Sequence, residues 1–476
     1  MRYLVFVFIS FFTLFSSVSA QKKWTLPECI EYAMNNNISV KQTDLQSQLS
    51  EIQLKQSKQS QYPNANFSTN SALNNGPGQD ASFNVINQSY FSTSMQLQSS
   101  VEIFNWYSKK NTIAANQWEL AASKAATDKL KNDIALSVAN VYLQILLAKE
   151  QENIARVQLQ QSQAQLGNTR KLVNAGALPE LNASELEAQV ARDSATLISA
   201  GGVVTQNILN LKAYMSLDAA APFEIDTPPV ALIPVEKIGD LQPDAVYASA
   251  IANMPQQKFD DFKLKAAQKQ SEVAKAGMYP TISLFGNLGT GYSSQAKTLI
   301  GATPRNDTLA KVNVSGTDYY VFPYNPLFFD YSYKNTGFFK QLDQNFRQSV
   351  GVSVSVPIFS GGTLRAAYER SKINIKNQEL QKELDDQKLK QDIYQAYNAA
   401  VVAYEKFNAS KKSVQTAERS FSFSQKRFDV GLLTTFELIT NQNNLFRAKL
   451  EYALDQVDYV FKMKVLEFYK GLGLKL

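Results

Sequence analysis

Few residues in this chain could do covalent chemistry. Its 476 residues include no histidine and one cysteine, Cys29. That removes the usual general base and the commonest metal ligand. It also removes any Ser/His/Asp or Cys/His arrangement. No GxxxxGK[ST] loop and no paired-cysteine spacing occurs. The carboxylates sit in helical stretches, where a solvated face accounts for them. The residues point away from an enzyme, and no cofactor and no metal site are expected. Lysine plus arginine number 48 against 42 acidic residues, a formal charge of +6, and the two signs are interspersed. No nucleic-acid surface is read from that pattern.

The elements that position the remaining chemistry follow from an internal repeat. Tyr62-Pro63 returns as Tyr279-Pro280, an offset of 217, and Ile103-Phe104 returns as Ile358-Phe359, an offset of 255. Tyr142 then matches Tyr397, Gly176 matches Gly431 and Arg192 matches Arg447. Leu211, Tyr214 and Leu217 match Leu466, Tyr469 and Leu472. The growth in offset places a 38-residue insertion between the Tyr-Pro and Ile-Phe landmarks of the second repeat.

Residues 1–20 read as a cleavable secretory signal peptide. Arg2 is the positive end, Tyr3 to Phe15 the apolar stretch, and Ser17-Val18-Ser19-Ala20 the small residues for cleavage. The alternative is a membrane anchor, for which the stretch is short. With one cysteine, an exported chain has no internal disulfide to rely on. No later apolar run approaches the length of a membrane helix, so entry into a membrane requires a β-barrel.

Two segments alternate with period two. Phe91, Thr93, Met95, Leu97, Val101 and Ile103 alternate with Ser92, Ser94, Gln96, Gln98, Ser100 and Glu102; Val350, Val352, Val354, Val356 and Ile358 alternate with serines and Gly351. Both predict strands with one apolar and one polar face, of membrane-crossing length. Weaker strands are expected at Ala65–Ser71 and Thr281–Gly291. Four strands cannot close a barrel, and an open edge in lipid leaves backbone groups unsatisfied. Several copies are therefore expected to share one barrel.

The rest reads as helix. Thr363 to Val430 holds neither Gly nor Pro, and Lys109 to Ala175 lacks Pro and holds only Gly167. A continuous helix of that size is about 100 Å long. Apolar residues recur at three and four (Ile134, Val138, Val141, Tyr142, Ile145; then Ile393, Tyr397, Val401, Tyr404), a stripe for sideways packing. An ordinary coiled-coil rod would explain the helices but not the strands. Gly176 and Gly431 stand where the long helices should end. A returning helix follows each, and a single shorter helix is expected before each Tyr-Pro, at Leu26–Gln61 and Leu241–Met278. The expected domains are repeat one at 21–217, a proline-rich linker at 218–240, and repeat two at 241–476. Between the strands of repeat two lies a long aromatic loop, about 292–344. It reads either as a folded lid or docking surface, or as interfacial aromatics on a packed loop.

These features together resemble the TolC-like outer-membrane efflux protein family. The residues carrying the resemblance are Trp24-Thr25-Leu26-Pro27-Glu28-Cys29-Ile30, the Tyr-Pro strand starts, the Ile-Phe strand ends, and Arg427-Phe428-Asp429-Val430-Gly431-Leu432. The resemblance implies a mixed fold of β-barrel and long α-helices. It implies a homotrimeric channel, each chain giving four strands to a shared twelve-stranded barrel and its helices to a periplasmic tunnel. It implies a passive channel of a tripartite efflux system, located in the outer membrane, set in its lipid and extending into the periplasm. The partners would be a periplasmic adaptor and an inner-membrane pump, proton-driven or ABC. Val430, Gly431 and Leu432, with Ala175, Gly176 and Ala177, would form the adaptor-contact tip; the alternative is that the glycines only end helices. The family's paired acidic aperture positions fall on Glu437 and Thr440, so one carboxylate is kept. Its Arg and Tyr constriction positions fall on Leu433 and Phe428. A channel for type I protein secretion, a metal-export channel and a non-pore periplasmic coiled-coil protein remain the other readings.

Overall fold

The computed structural model describes residues 23–79, 85–230, 233–305, 307–324 and 328–470. The expected signal peptide at 1–20 and Leu472 lie outside the described residues. The first half runs α1 (Leu26–Asn36), α2 (Ile38–Gln59), β1 (Asn64–Gln79), β2 (Val85–Phe104), α3 (Ser108–Asn174) and α4 (Glu180–Met215). The second runs α5 (Pro243–Asn253), α6 (Pro255–Ala276), β3 (Thr281–Ser293), β4 (Lys297–Arg305), β5 (Ala310–Val314), β6 (Thr317–Val321), β7 (Phe328–Asn335), α7 (Phe338–Gln344), β8 (Arg347–Ser355), α8 (Thr363–Asp429) and α9 (Thr435–Phe468). The chain divides into a helical unit (Met1–Leu54, Ala115–Gln268, Ile373–Leu476) and a strand unit (Lys55–Ala114, Lys269–Lys372). Among the described residues no helix is long and apolar enough to cross a membrane.

Two expectations need correction. The single helices expected before each Tyr-Pro are broken in two. Asn37 caps α2 through its Oδ1, which accepts from the backbone N–H of Ser39 at 2.9 Å, while its Nδ2 donates to the carbonyl of Tyr214 at 2.8 Å. A side-chain cap of this kind competes with helix continuation. In the second half Pro255 opens α6, and Met254 before it is pushed to extended backbone (ψ 133°). The second correction is to the strand expected to reach Ile358: β8 stops at Ser355, before Pro357, which has no N–H for a ladder. The aromatic stretch at 292–344 has secondary structure of its own: β4 pairs with β7, β5 pairs with β6, and α7 lies at the base.

The helical unit holds two cores. In the first, Val138, Tyr142 and Ile145 of α3 meet Cys29 and Ala33 of α1, Leu211 and Met215 of α4, and Ile225 of the linker. Trp24 pairs with Ile225 in a parallel bridge, and the Tyr142 hydroxyl donates to the Asp226 carbonyl at 2.5 Å. Burial pushes the Cys29 thiol up to about 12, so it is an inert core residue. In the second, Leu241, Val246 and Ala250 meet Ile393 and Ala400 of α8, with Met463 and Leu466 of α9.

Candidate functional site

The strand unit is built on a four-stranded antiparallel sheet in the order β1-β2-β3-β8. Its register puts Asn66, Gln98, Asn287 and Ser349 side by side on one face. On the other face Val101, Leu284 and Val352 line up, as do Phe67, Leu97 and Leu288. Successive side chains alternate across a strand, so the two faces differ throughout. Val350, Val352 and Val354 are 80%, 61% and 60% exposed. An apolar face left open in this way belongs against lipid or another apolar surface. The paired length of β8 is nine residues, within the roughly 9–11 needed by a tilted membrane strand. Where all four strands lie side by side, only Phe285 on the polar face is large and apolar. Its ring covers Gly351, where an added Cβ would lie 2.6 Å from Cζ. β1 and β8 are the outer strands, and each presents an edge for pairing.

Each long helix ends in the same turn. Gly176 and Gly431 both take φ +73°, a conformation that disfavours any side chain. The N–H of Gly176 donates to the Val173 carbonyl at 2.9 Å and that of Ala177 to Leu172 at 2.8 Å. Gly431 donates to Phe428 at 2.9 Å and Leu432 to Arg427 at 2.8 Å. This is the Schellman pattern, satisfying carbonyls the helix leaves open. Ala175, Gly176 and Ala177 are exposed, and Val430 and Leu432 are 68% and 69% exposed. Phe428 and Leu433 are half-buried.

The returns differ. Thr434 caps α9 with Glu437 in a reciprocal box: the Thr434 N–H donates to Glu437 Oε2 at 3.0 Å, its hydroxyl donates to the same oxygen at 2.8 Å, and the Glu437 N–H lies 3.2 Å from Thr434 Oγ1. The Thr434 backbone and then its hydroxyl hold the Glu437 carboxyl below its ordinary range, with Arg427 adding to the effect. A lowered carboxyl stabilises the turn above the ordinary carboxylate range and loses that contribution as pH falls through the lowered value. The cap is thus complete at neutral pH. The Thr440 hydroxyl donates to its own helix, at the Phe436 carbonyl (2.8 Å). At the other turn α4 starts on Pro179, and Arg170 reaches across to Glu180 at 3.0 Å and to Glu187.

Sequence reasoning missed both arrangements, although Thr434-x-x-Glu437 is a readable capping signal. It also missed a buried polar network joining α3, α4 and α9. Ser162 donates to Asp193 at 2.5 Å, Gln189 Nε2 donates to Asp193 at 2.9 Å, and Gln442 Nε2 donates to Ser162 Oγ at 3.1 Å. Gln189 also reaches Asn443 at 3.3 Å. Gln189 and Asp193, four apart on one helix face, were the only local hint.

A family model described as outer membrane efflux protein matches residues 29–216 and 246–462. The chain belongs to that family, the TolC-like outer-membrane efflux proteins. Among its relatives, the pyoverdine export outer membrane protein OpmQ of Pseudomonas aeruginosa is 23% identical over 398 residues, 81% of this chain and 71% of OpmQ. The outer membrane efflux protein BepC of Brucella suis is 21% identical over 367 residues, 75% of this chain and 67% of BepC. In structure the chain is similar to the outer membrane protein VceC of Vibrio cholerae, with a TM-score of 0.71 at 16% identity, covering 94% of this chain and 97% of VceC. At that identity the likeness speaks for the fold: a β domain joined to long helices. The outer-membrane efflux family is one of channel proteins, which agrees with the two-faced sheet.

Proposed function

We propose that this chain is a passive outer-membrane channel of a tripartite efflux system. Three copies share a twelve-stranded barrel, with β8 of one chain pairing with β1 of the next and the helices forming a periplasmic tunnel. The observation that carries this reading is the four-stranded sheet with one apolar face, one polar face and two outer edges. Closing the edges between copies satisfies their backbone groups, turns the apolar face to lipid and encloses the polar face. The matching order of helices and strands in the two halves supports a fold of two repeats. The channel is no enzyme. An inner-membrane pump supplies the energy and a periplasmic adaptor couples it to the tunnel. The signal peptide at 1–20 directs export, and the linker at 218–240 joins the repeats.

The tip of the tunnel is assigned to the turns at Val430-Gly431-Leu432 and Ala175-Gly176-Ala177. Their exposed apolar side chains on rigid Schellman turns suit contact with the adaptor. Glu437, three-fold related, forms an acidic ring favouring cations at the aperture, with Thr440, Phe428 and Leu433 beside it. Its capping bonds to Thr434 hold the carboxylates in place.

Gly431→Pro tests the tip. Proline cannot reach φ +73° and lacks the N–H given to Phe428, so the turn must rearrange. A tagged copy pulled from native membranes after mild crosslinking should bring down an adaptor and a pump. Gly431→Pro should lose the adaptor while remaining assembled in the membrane. Full recovery of the adaptor by Gly431→Pro would refute the tip assignment. An ABC transporter in the pull-down would move the role to type I protein secretion. A wild-type protein without any adaptor would favour the non-pore periplasmic reading.

A further inference from the structure

The insertion of the second half carries more apolar surface than a loop needs. Its two ribbons share one design. In β4–β7, above the basal Lys297–Asn335 pair, Phe329, Tyr331 and Tyr333 share a face with their partners Pro304, Ala302 and Leu299. The three rings form a ladder, with centroids 6.4 and 6.5 Å apart. The opposite face carries Thr303, Asp330, Ser332, Lys334 and Arg305 with a single aromatic, Phe328, at its end, and Arg305 pairs with Asp330 at 3.3 Å. In β5–β6, Ala310, Val312 and Val314 share a face with Val321, Tyr319 and Thr317, and the opposite face holds Tyr320 with the Lys311–Asp318 ion pair.

The polar faces are satisfied by their own ion pairs. Among the described residues the apolar faces are left open: Tyr331 is 55% exposed, Tyr319 58% and Val314 53%. A two-stranded ribbon with an uncovered face is marginal in water, and clustered exposed aromatics mark a contact surface. The base of the insertion is fixed. Gln341 of α7 is buried, accepts from the Ser293 N–H at 2.9 Å, and donates to the carbonyls of Ser293 (2.9 Å) and Thr336 (2.7 Å). Both ribbons therefore rise from one end of the sheet.

We propose that the apolar faces of these ribbons are covered by the same ribbons of neighbouring copies, forming a cap at the outer mouth. The proposal rests on the channel reading above. Around a three-fold axis the same residue of each copy meets its counterparts, and like charges there would repel. Above the base, neither apolar face holds a charged residue. The reach also fits. Twelve tilted strands about 4.8 Å apart enclose a barrel roughly 24 Å across. A ribbon of nine residues at about 3.3 Å per residue is roughly 30 Å long, enough to span from rim to axis. Lipid is the less suitable cover, because a ribbon standing off the sheet end leaves the apolar band after a few residues. The cap joins the chains outside the membrane and narrows the exit.

The test places cysteines on the two faces of β7, Tyr331→Cys and Ser332→Cys. Intact cells are treated with a short, membrane-impermeant bis-maleimide, so buried Cys29 stays out of reach. The number of copies is measured separately by the native mass of the protein in detergent. The cap predicts trimers in which Tyr331→Cys links about two of every three chains into dimers, the most a three-fold site allows, while Ser332→Cys leaves them unlinked. Trimers with no linkage through Tyr331→Cys, or equal linkage through both positions, overturn the cap and leave the channel reading standing. Absence of trimers overturns the channel reading and the cap with it.

Discussion

Val352→Arg should keep this protein out of the outer membrane, and Ser353→Arg should not. The two residues are adjacent on β8 and point to opposite faces. Val352 lies mid-strand opposite Leu284, in the row that continues to Val101. Ser353 lies opposite Ser283 on the polar face. An arginine facing lipid near the middle of a barrel strand costs about 2–4 kcal/mol, whereas one facing the water-filled interior changes stability little. Neither substitution alters backbone pairing, because both side chains stand clear of the ladder. Folding into lipid vesicles, followed by denaturant titration, reads the difference directly. A loss of about 2–4 kcal/mol for Val352→Arg and of under about 0.5 kcal/mol for Ser353→Arg is the expected outcome. Equal losses would mean that the faces are assigned wrongly or that the sheet does not meet lipid.

The second large effect is expected in the helical unit. Lys464 and Glu467 form an ion pair at 2.8 Å, with side chains only 4% and 7% exposed. The other Glu467 oxygen accepts from the Glu236 N–H at 2.7 Å, which fastens the linker to α9. Replacing both charges of a buried pair is often tolerated, but removing one leaves the other unpaired in a poorly polarisable interior. Lys464→Ala should therefore cost about 3–5 kcal/mol. The double variant Lys464→Met with Glu467→Gln should be clearly milder, since a glutamine oxygen still accepts from Glu236. Far-UV circular dichroism during denaturation in detergent separates the two. A loss below about 1 kcal/mol for Lys464→Ala would show that the carboxylate finds other compensation.

What could be read from the sequence had local causes. The long helices ended at Gly176 and Gly431 because few other residues accept φ +73° after a helix. The strands were readable where serines and glutamines alternate with valines and leucines, since only one face of the sheet is apolar. Breaks set by one side chain escaped notice. Asn37 sits among three asparagines, and its cap depends on a carbonyl 177 residues away. The ribbons of the insertion were hidden for a related reason. β4 carries a bulge around Ile300, and aromatics such as Phe328 and Tyr320 fall on the polar faces, which blurs the period of two. The Ser162–Asp193–Gln442 network joins residues 280 apart, so no window along the chain contains it. At the turn, resemblance marked Glu437 as an aperture residue, and the structure adds the capping bonds that fix its carboxylate.

The claim on which the rest depends is that the four-stranded sheet is one third of a barrel. Purification followed by native mass measurement tests it most directly. The account predicts a protein that leaves the membrane only with detergent and whose mass corresponds to three chains. A single chain, soluble in plain buffer and with no higher species, would contradict it.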